Sequence, residues 1–152
     1  MDIKSKSGYP YSNLSNFSPH PFVFDGVECF SMEGLLQAFK FDKEHIQVEV
    51  CKLVGFAAKS RGKARNSHWQ REQALWWKGV KYDRDGEEYQ KLLDRAYDAL
   101  ATNDSFCRAL LATGDAVLKH SIGRSNSKET VLTEREFCSR LMKLREKLKE
   151  KK

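Results

Sequence analysis

The sequence predicts a mainly helical α+β domain, in which one β-hairpin and a short third strand pack beside about six to eight helices. Two observations favour this class: apolar residues recur at helical spacing in most segments, and one Asp-Gly pair marks a two-residue hairpin turn. A chain of 152 residues can bury roughly two-thirds of its unfolded surface in one core. We therefore expect a single domain over residues 9–150, preceded by a flexible N-terminus at residues 1–8.

Residues 21–30 are predicted to form the hairpin, because Asp25-Gly26 lies between two runs of alternating apolar and polar residues. Pairing across this turn places four apolar side chains on one face, namely Phe22, Phe24, Val27 and Cys29. Val23 and Glu28 then point to the opposite face. The hairpin leads directly into the next helix.

Residues 31–41 are predicted to form a helix with two distinct faces. Ser31 is the expected N-cap, which places Glu33 near the positive end of the helix dipole. The apolar face consists of Met32, Leu35, Leu36 and Phe39. The second face carries a carboxylate, an amide and an amine on Glu33, Gln37 and Lys40. Taken alone, such a polar row is more often a solvated face with an ordinary salt bridge than a functional site.

Two short helices and one long helix are predicted to follow. The first spans residues 42–53 and buries Ile46, Val50 and Leu53. The second spans residues 55–62 and ends in basic residues. The long helix spans residues 67–82, and its interior side chains are Trp69, Trp76 and Val80, with Trp77 beside them. Trp69 could stack on a purine or flavin-like ring, although core packing is the commoner place for a helical tryptophan.

The C-terminal half contains the clearest helix signals. A helix beginning near residue 89 has its apolar face on Tyr89, Leu92, Leu93, Ala96, Tyr97 and Leu100. The next helix begins at Asn103 or Asp104 and ends at Gly114, and residues 116–122 follow as a short strand. The last helix begins at a capping box formed by Thr133 and Glu136. Its buried side chains are Phe137, Leu141, Leu144 and Leu148.

A net charge of +6 and a pI near 9.1 favour an anionic ligand such as a phosphate, a nucleotide or nucleic acid. The closely spaced Arg61, Lys63 and Arg65 are the best local candidates for a phosphate contact, because arginine offers a planar donor fork and lysine a point charge. A solvated basic loop is equally consistent with them. The six Lys and Arg residues within residues 143–152 are explained equally well by a solvated helix end.

Several classes of protein are not supported by the sequence. The four cysteines form no C-x-x-C pair and the four histidines no H-E-x-x-H motif, so free thiols in a reducing cytosol are expected and a metal site is not. No Walker A or G-x-G-x-x-G motif is present. No apolar signal region or run of membrane-spanning length occurs, which predicts a cytoplasmic protein without a membrane partner.

The first half of the chain resembles the YbiA-like, or NADAR, family. That family shows an N-F-S-N-F segment, a hairpin, and a helix of the form S-x-E-x-x-x-Q-A-x-K-F. Here the corresponding stretches read Y-S-N-L-S-N-F-S-P and S-M-E-G-L-L-Q-A-F-K-F. The matching residues in the helix are Ser31, Glu33, Gln37, Ala38, Lys40 and Phe41. Weaker matches extend the resemblance to about residue 148, including Trp69 with Arg71, an L-L-x-T-G stretch, and Leu141, Met142 and Arg145.

One segment departs from the family pattern. Where the family usually has D-x-x-W-G, residues 120–132 read H-S-I-G-R-S-N-S-K-E-T-V-L, with no Asp and no Trp. Glu129 or His120 is a candidate to substitute for the missing acidic residue. The polar, basic loop from Arg124 to Lys128 suits phosphate or ribose hydroxyls, and an ordinary surface loop is an equal alternative.

The resemblance implies cleavage of an N-glycosidic bond, in a ribosylamino-pyrimidine phosphate or an ADP-ribosylated nucleobase, without a cofactor or metal. Glu33 and Lys40 are then the catalytic candidates. Glu33 would stabilise an oxocarbenium-like ribose or activate water. Lys40 would act either as an ammonium or as a partly desolvated nucleophilic amine. The candidate substrate-binding residues are Asn13, Asn16, Phe17, Gln37, Arg61, Lys63, Trp69 and Arg124.

Two other readings are compatible with the sequence. One is a non-catalytic module that binds ADP-ribose, a nucleotide or nucleic acid, and the missing D-x-x-W-G stretch favours it. The other is a purely structural or interaction protein, which would need an exposed apolar patch. A small metabolite and a modified base in DNA or RNA are both compatible with the sequence as the substrate.

Overall fold

A computed structural model describes residues 2–4 and 7–151 of the chain. In this part, seven α-helices and a short 3₁₀ helix surround two antiparallel sheets of two strands each, so the mainly helical α+β class is confirmed. The 3₁₀ helix is Tyr11–Leu14. The strands are β1 (Phe22–Phe24), β2 (Val27–Cys29), β3 (Ala74–Trp77) and β4 (Val80–Asp83). The helices are α1 (Met32–Ala38), α2 (Glu44–Cys51), α3 (Gly55–Lys63), α4 (Asn66–Glu72), α5 (Glu87–Leu100), α6 (Asp104–Ala112) and α7 (Glu134–Glu150).

Helix α1 lies at the centre, packed against α2, α3 and β2. The Ser31 hydroxyl caps it by accepting a hydrogen bond from the Gly34 N–H at 3.1 Å, and its predicted apolar face is buried. A Cβ on Gly34 would lie 2.6 Å from the Leu53 carbonyl oxygen, so glycine permits the close approach of the α2–α3 connection. The regular helix ends at Ala38, and an i→i+3 bond from Phe41 N–H to the Ala38 carbonyl continues the turn.

The predicted β1–β2 hairpin is confirmed in register. Phe22 faces Cys29 and Phe24 faces Val27 across a two-residue turn. Asp25 and Gly26 have positive φ angles of 49° and 81°, as that turn requires.

The predicted helix over residues 67–82 is wrong in its second half. Helix α4 ends at Glu72, Gln73 takes a left-handed φ of 49°, and β3 and β4 form a second hairpin. Its turn is Lys78-Gly79, with φ angles of 49° and 83°. Val80, predicted to be interior, is 52% exposed, whereas Trp69 and Trp77 are buried. The Lys-Gly turn and the pairing of the Trp76 N–H with the Phe39 carbonyl outweigh the local helical spacing.

The predicted strand over residues 116–122 is also wrong. Among residues 116–122, which are all described, only Lys119 pairs as β-structure, through an isolated parallel bridge to Asp2. Ile3 is buried, and its N–H donates to the Lys119 carbonyl at 2.7 Å. The rest of the expected flexible N-terminus includes residues 1, 5 and 6, which lie outside the described part.

Helices α5, α6 and α7 each bury an apolar face in the core, and they agree with their predicted boundaries. All six residues of the predicted α5 apolar face are buried. Asn103 caps α6, Gly114 follows its end with φ 62°, and both hydrogen bonds of the capping box at Thr133 and Glu136 are present. On α7, Leu148 is only partly buried.

Candidate active site

A cavity of about 660 Å³ opens beside the polar face of α1. Helices α3 and α4 form one part of its wall, the segment after the 3₁₀ helix forms its rim, and residues from both ends of the segment 120–132 form a further part of the wall. Its polar and charged lining residues are Ser15, Asn16, Glu33, Gln37, Lys40, Lys59, Lys63, Asn66, Gln70, His120, Arg124, Glu129 and Thr130. The row predicted from helical spacing on α1 therefore faces a cavity.

The three side chains of that row are fixed by short hydrogen bonds. Gln37 donates from Nε2 to Glu33 Oε2 at 2.6 Å. Lys40, with only 6% of its surface exposed, donates from Nζ to Asn66 Oδ1 at 2.6 Å. The same oxygen of Asn66 accepts from Trp69 Nε1 at 3.3 Å. Helix α4 thus holds the amine that follows α1.

Gly62 on α3 packs directly against the Gln37 side chain. A Cβ on Gly62 would lie 1.7 Å from Gln37 Oε1, so no other residue leaves room for the amide in this position. The amide is held between Gly62 and Glu33, and its Nε2 is kept on the carboxylate. Gln37 therefore orients Glu33.

Burial shifts the acid–base behaviour of both predicted catalytic groups. Removal from water raises the pKa of the Glu33 carboxyl, while the Gln37 hydrogen bond and the Lys40 charge oppose that rise. Burial also lowers the pKa of Lys40 to about 8. The Glu33 carboxylate opposes this decrease in the pKa of Lys40, and the nearby Lys59 adds to it.

We expect the pKa of Lys40 to follow these two neighbours. Glu33→Gln should lower the pKa of Lys40 below about 8, because it removes the anion that favours the ammonium form. Lys59→Met should raise it, because it removes a like charge. The measurement is the pH dependence of acylation at Lys40, followed by peptide mass spectrometry. Lys81→Met, on the exposed face of β4, is the control, and an unchanged Lys40 pKa in both test variants would contradict the electrostatic account.

The rim of the cavity combines an aromatic ring with polar groups. Phe17 lines it directly. Asn16 also lines it; its side-chain oxygen accepts from the Tyr97 hydroxyl at 2.9 Å, and its carbonyl accepts from the Glu33 N–H at 3.0 Å. The segment after the 3₁₀ helix is therefore joined to both α1 and α5.

Of the predicted substrate-binding residues, Asn13 and Arg61 do not line the cavity. Asn13 accepts from His20 Nε2 through its carbonyl and from Ser12 through its side chain. Arg61 points to the other side of α3, where it pairs with Glu49 at 3.5 Å and lies over the Phe41 ring. Neither residue therefore contributes to the lining of this cavity.

The remaining predicted binding residues line the cavity in different ways. Gln37, Lys63 and Arg124 contribute polar groups. Trp69 is only 1% exposed and packs within the wall, which leaves its ring no free face for a ligand. Arg65, the third residue of the basic cluster, donates from Nε to the Lys40 carbonyl at 3.1 Å and so supports the site from behind.

The segment that departs from the family pattern forms one wall of the cavity. His120 and Glu129, the two suggested substitutes for the missing Asp, both line it. The His120 ring is within hydrogen-bond distance of the Ile3 carbonyl, at 2.7 Å, and packs edge-on against Phe137. Glu129 lies 3.8 Å from Arg124 at an exposed position. His120 is therefore the inner and Glu129 the outer of the two.

Lys59, Asn66 and Gln70 line the cavity and were not identified from the sequence. Lys59 precedes Lys63 by four residues, which is about one helical turn, and this spacing is a signal that could have found Lys59. Asn66 and Gln70 have no comparable signal, because only the packing of α4 brings them to the cavity.

Within the described residues, no group of His, Cys, Asp and Glu side chains could hold a metal ion, and the cysteines there are free. In the same part of the chain, no helix is long and apolar enough to cross a membrane.

The fold is that of YbiA. The NMR structure of the E. coli protein YbiA matches with a TM-score of 0.64 and 21% sequence identity, over 99% of this chain and 85% of that one. The architecture expected from the resemblance is therefore confirmed, and the cavity is the candidate active site of a YbiA-like fold.

The family model of bacteriophage protein GP30.3 matches residues 8–146, and the chain belongs to this family. A protein of Enterobacteria phage T4, described as an uncharacterized 17.1 kDa protein in the Gp30-rIII intergenic region, is 37% identical over 150 residues. The match covers 97% of this chain and 98% of the phage T4 protein.

Proposed function

We propose that this protein is an N-glycosidase that hydrolyses the bond between a ribose C1 and a nitrogen in a ribosylated or ADP-ribosylated substrate. The observation that carries the proposal is the placement of Glu33 and Lys40 in one cavity, each buried enough to shift its pKa and each held by an amide side chain. Perturbed acid and base groups that converge in a cavity are typical of active sites.

The reaction requires an anion beside C1 and a proton for the leaving nitrogen. As the C1–N bond breaks, positive charge develops on the ribose ring, and the Glu33 carboxylate stabilises it or accepts a proton from the attacking water. Gln37 holds this carboxylate in one orientation. Lys40, with a pKa of about 8, is mostly an ammonium at neutral pH and donates the proton to the departing nitrogen. The water oxygen bonds to C1 as the C1–N bond breaks, and the products are a free ribose derivative and the base, whose nitrogen carries the proton from Lys40.

The segment 120–132 supports a second candidate, a non-catalytic module that binds ADP-ribose or a nucleotide. It lacks the family's D-x-x-W-G, yet it brings Arg124 to a cavity that already contains Lys59 and Lys63. Such a cavity can attract an anionic ligand without breaking a bond in it.

A product assay distinguishes the two candidates. The protein is incubated with DNA carrying ADP-ribosylated guanine, and separately with a ribosylamino-pyrimidine phosphate, and the released sugar is followed by mass spectrometry. Lys40→Ala is run beside the wild type. Release that Lys40→Ala abolishes supports the glycosidase and identifies its substrate class. Absence of release from both substrates, with ADP-ribose still bound, supports the binding module.

A further inference from the structure

Phe56, in the first turn of α3, presents a large aromatic ring to solvent at the edge of the cavity. Phe56 is 73% exposed, although its side chain is large and apolar. Its ring packs edge-on against Phe17, with 5.1 Å between ring centroids, and Phe17 lines the cavity. The two phenylalanines therefore form an aromatic corner at the rim, and Phe56 keeps ring surface free for a ligand.

The same face of α3 carries two lysines. Phe56, Lys59 and Lys63 fall at i, i+3 and i+7, and both lysines line the cavity. Phe56 and Lys63 are about 10 Å apart along the helix axis. In the described part of the chain neither lysine has an ion pair, whereas Arg61 on the opposite side of α3 is paired with Glu49. The positive charge on the cavity side of α3 is thus left for a ligand.

An exposed phenylalanine alone is common and a pair of lysines alone is common. The order of Phe56, Lys59 and Lys63 on one face of α3 is less common. It places a flat apolar ring at the edge of the cavity and two ammonium groups further along the cavity wall. A ligand that fits this order has a planar aromatic ring joined to a short anionic chain. Base stacking on an aromatic side chain and phosphate contact with lysine are two interactions that proteins commonly use for such ligands.

We propose that Phe56, Lys59 and Lys63 form a subsite for a nucleoside diphosphate, in which the base stacks on Phe56 and the diphosphate lies along the two lysines. Lys59 is close enough to Glu33 to influence its pKa, so a diphosphate on Lys59 directs the next group of the ligand toward Glu33. The identification of that next group as the reacting ribose rests on the proposed function. The subsite for the base and the diphosphate does not depend on it.

The test measures binding rather than hydrolysis. Isothermal titration calorimetry compares ADP, which has a base, with ribose 5-phosphate, which has none. Phe56→Ala should weaken ADP binding roughly tenfold and leave ribose 5-phosphate binding unchanged. Phe30→Ala, another exposed phenylalanine on the surface of the β1–β2 hairpin, is the matched control and should change neither. Because Phe56 is exposed, its removal should not lower the melting temperature, which is checked alongside.

The lysines have a different expected effect. Lys59→Met and Lys63→Met should each weaken the binding of ADP and reduce its dependence on salt, while Lys81→Met should not. The subsite is overturned if the wild type binds ADP no better than ribose 5-phosphate, or if Phe56→Ala affects both ligands equally. Binding with the expected variant pattern but without any hydrolysis overturns the glycosidase and leaves the subsite standing.

Discussion

Replacing Glu33 by glutamine should reduce the rate of ribose release at least about a hundredfold, because the carboxylate is the only acidic side chain on the polar face of α1. Glutamine has nearly the same shape and keeps an oxygen that can accept the hydrogen bond from Gln37 Nε2. The variant therefore removes the charge and leaves the packing intact. Rates are measured across neutral and mildly alkaline pH, because the same substitution is expected to lower the pKa of Lys40.

The same variant should be at least as stable as the wild type at neutral pH. The raised pKa of Glu33 means that the folded state holds the proton more tightly than the unfolded state. Proton binding by Glu33 therefore favours the folded state. This contribution to stability is complete below the pKa that Glu33 has in the unfolded chain, and it is lost as the pH rises through the pKa that Glu33 has in the folded protein. At neutral pH the buried Glu33 carboxylate lowers the stability of the wild type, and Glu33→Gln removes this cost. The greater stability of the variant should therefore disappear on acidification. Urea denaturation at several pH values measures the difference.

Glu28→Gln is the matched control for charge removal, because Glu28 lies on the exposed face of the β1–β2 hairpin. It should change neither the rate nor its pH dependence. Retention of activity within about tenfold of wild type in Glu33→Gln would remove Glu33 from the catalytic role. Loss of activity together with a large loss of stability would show a structural role instead.

Arg84→Met should lower the free energy of unfolding by about 3 kcal/mol, because it breaks a buried ion pair and leaves one charge without its partner. Arg84 is 1% exposed and binds the Glu136 carboxylate through both terminal nitrogens, at 2.7 and 3.1 Å. Its Nε donates to the Thr130 carbonyl at 2.8 Å, and its guanidinium lies over the Tyr89 ring. Methionine fills part of the volume and leaves Glu136 without its main counter-ion.

The loss should extend to the cavity, because Thr130 belongs to its wall. Hydrogen exchange should become faster at Val131 and Leu132 in Arg84→Met, in addition to the shift in the urea midpoint. Arg108→Met is the control, since Arg108 pairs with Asp104 at an exposed position and should contribute less than about 1 kcal/mol. If Arg84→Met and Arg108→Met lowered the free energy of unfolding equally, the burial of Arg84 would not be the cause of its effect.

Local sequence signals were sufficient to predict those elements whose ends are marked by a short motif in the chain itself. Asp25-Gly26 set the register of the β1–β2 hairpin, and the Thr133–Glu136 capping box began α7 at the predicted residue. In each case the hydrogen bonds that define the element are made between residues close in sequence. Such elements can be predicted without knowledge of the rest of the fold.

Local spacing failed between Gln73 and Asp83. The tryptophans there are compatible with a helical period, but Trp76 pairs with the backbone after α1, and Gln47 of α2 donates to the Trp76 carbonyl at 2.8 Å. These partners are about 30 residues or more away in the chain. A period count within the segment cannot detect them, although the Lys78-Gly79 pair was a turn signal within the sequence.

The candidate site divides in the same way. The sequence by itself determined the row of Glu33, Gln37 and Lys40, because their spacing on the predicted helix over residues 31–41 places them on one face. Only the tertiary structure decided that this face borders a cavity, that Asn66 holds Lys40, and that Arg61 points elsewhere. The physical reason is that a helix determines the relative directions of its own side chains, whereas burial, pKa and partners depend on which elements pack against it.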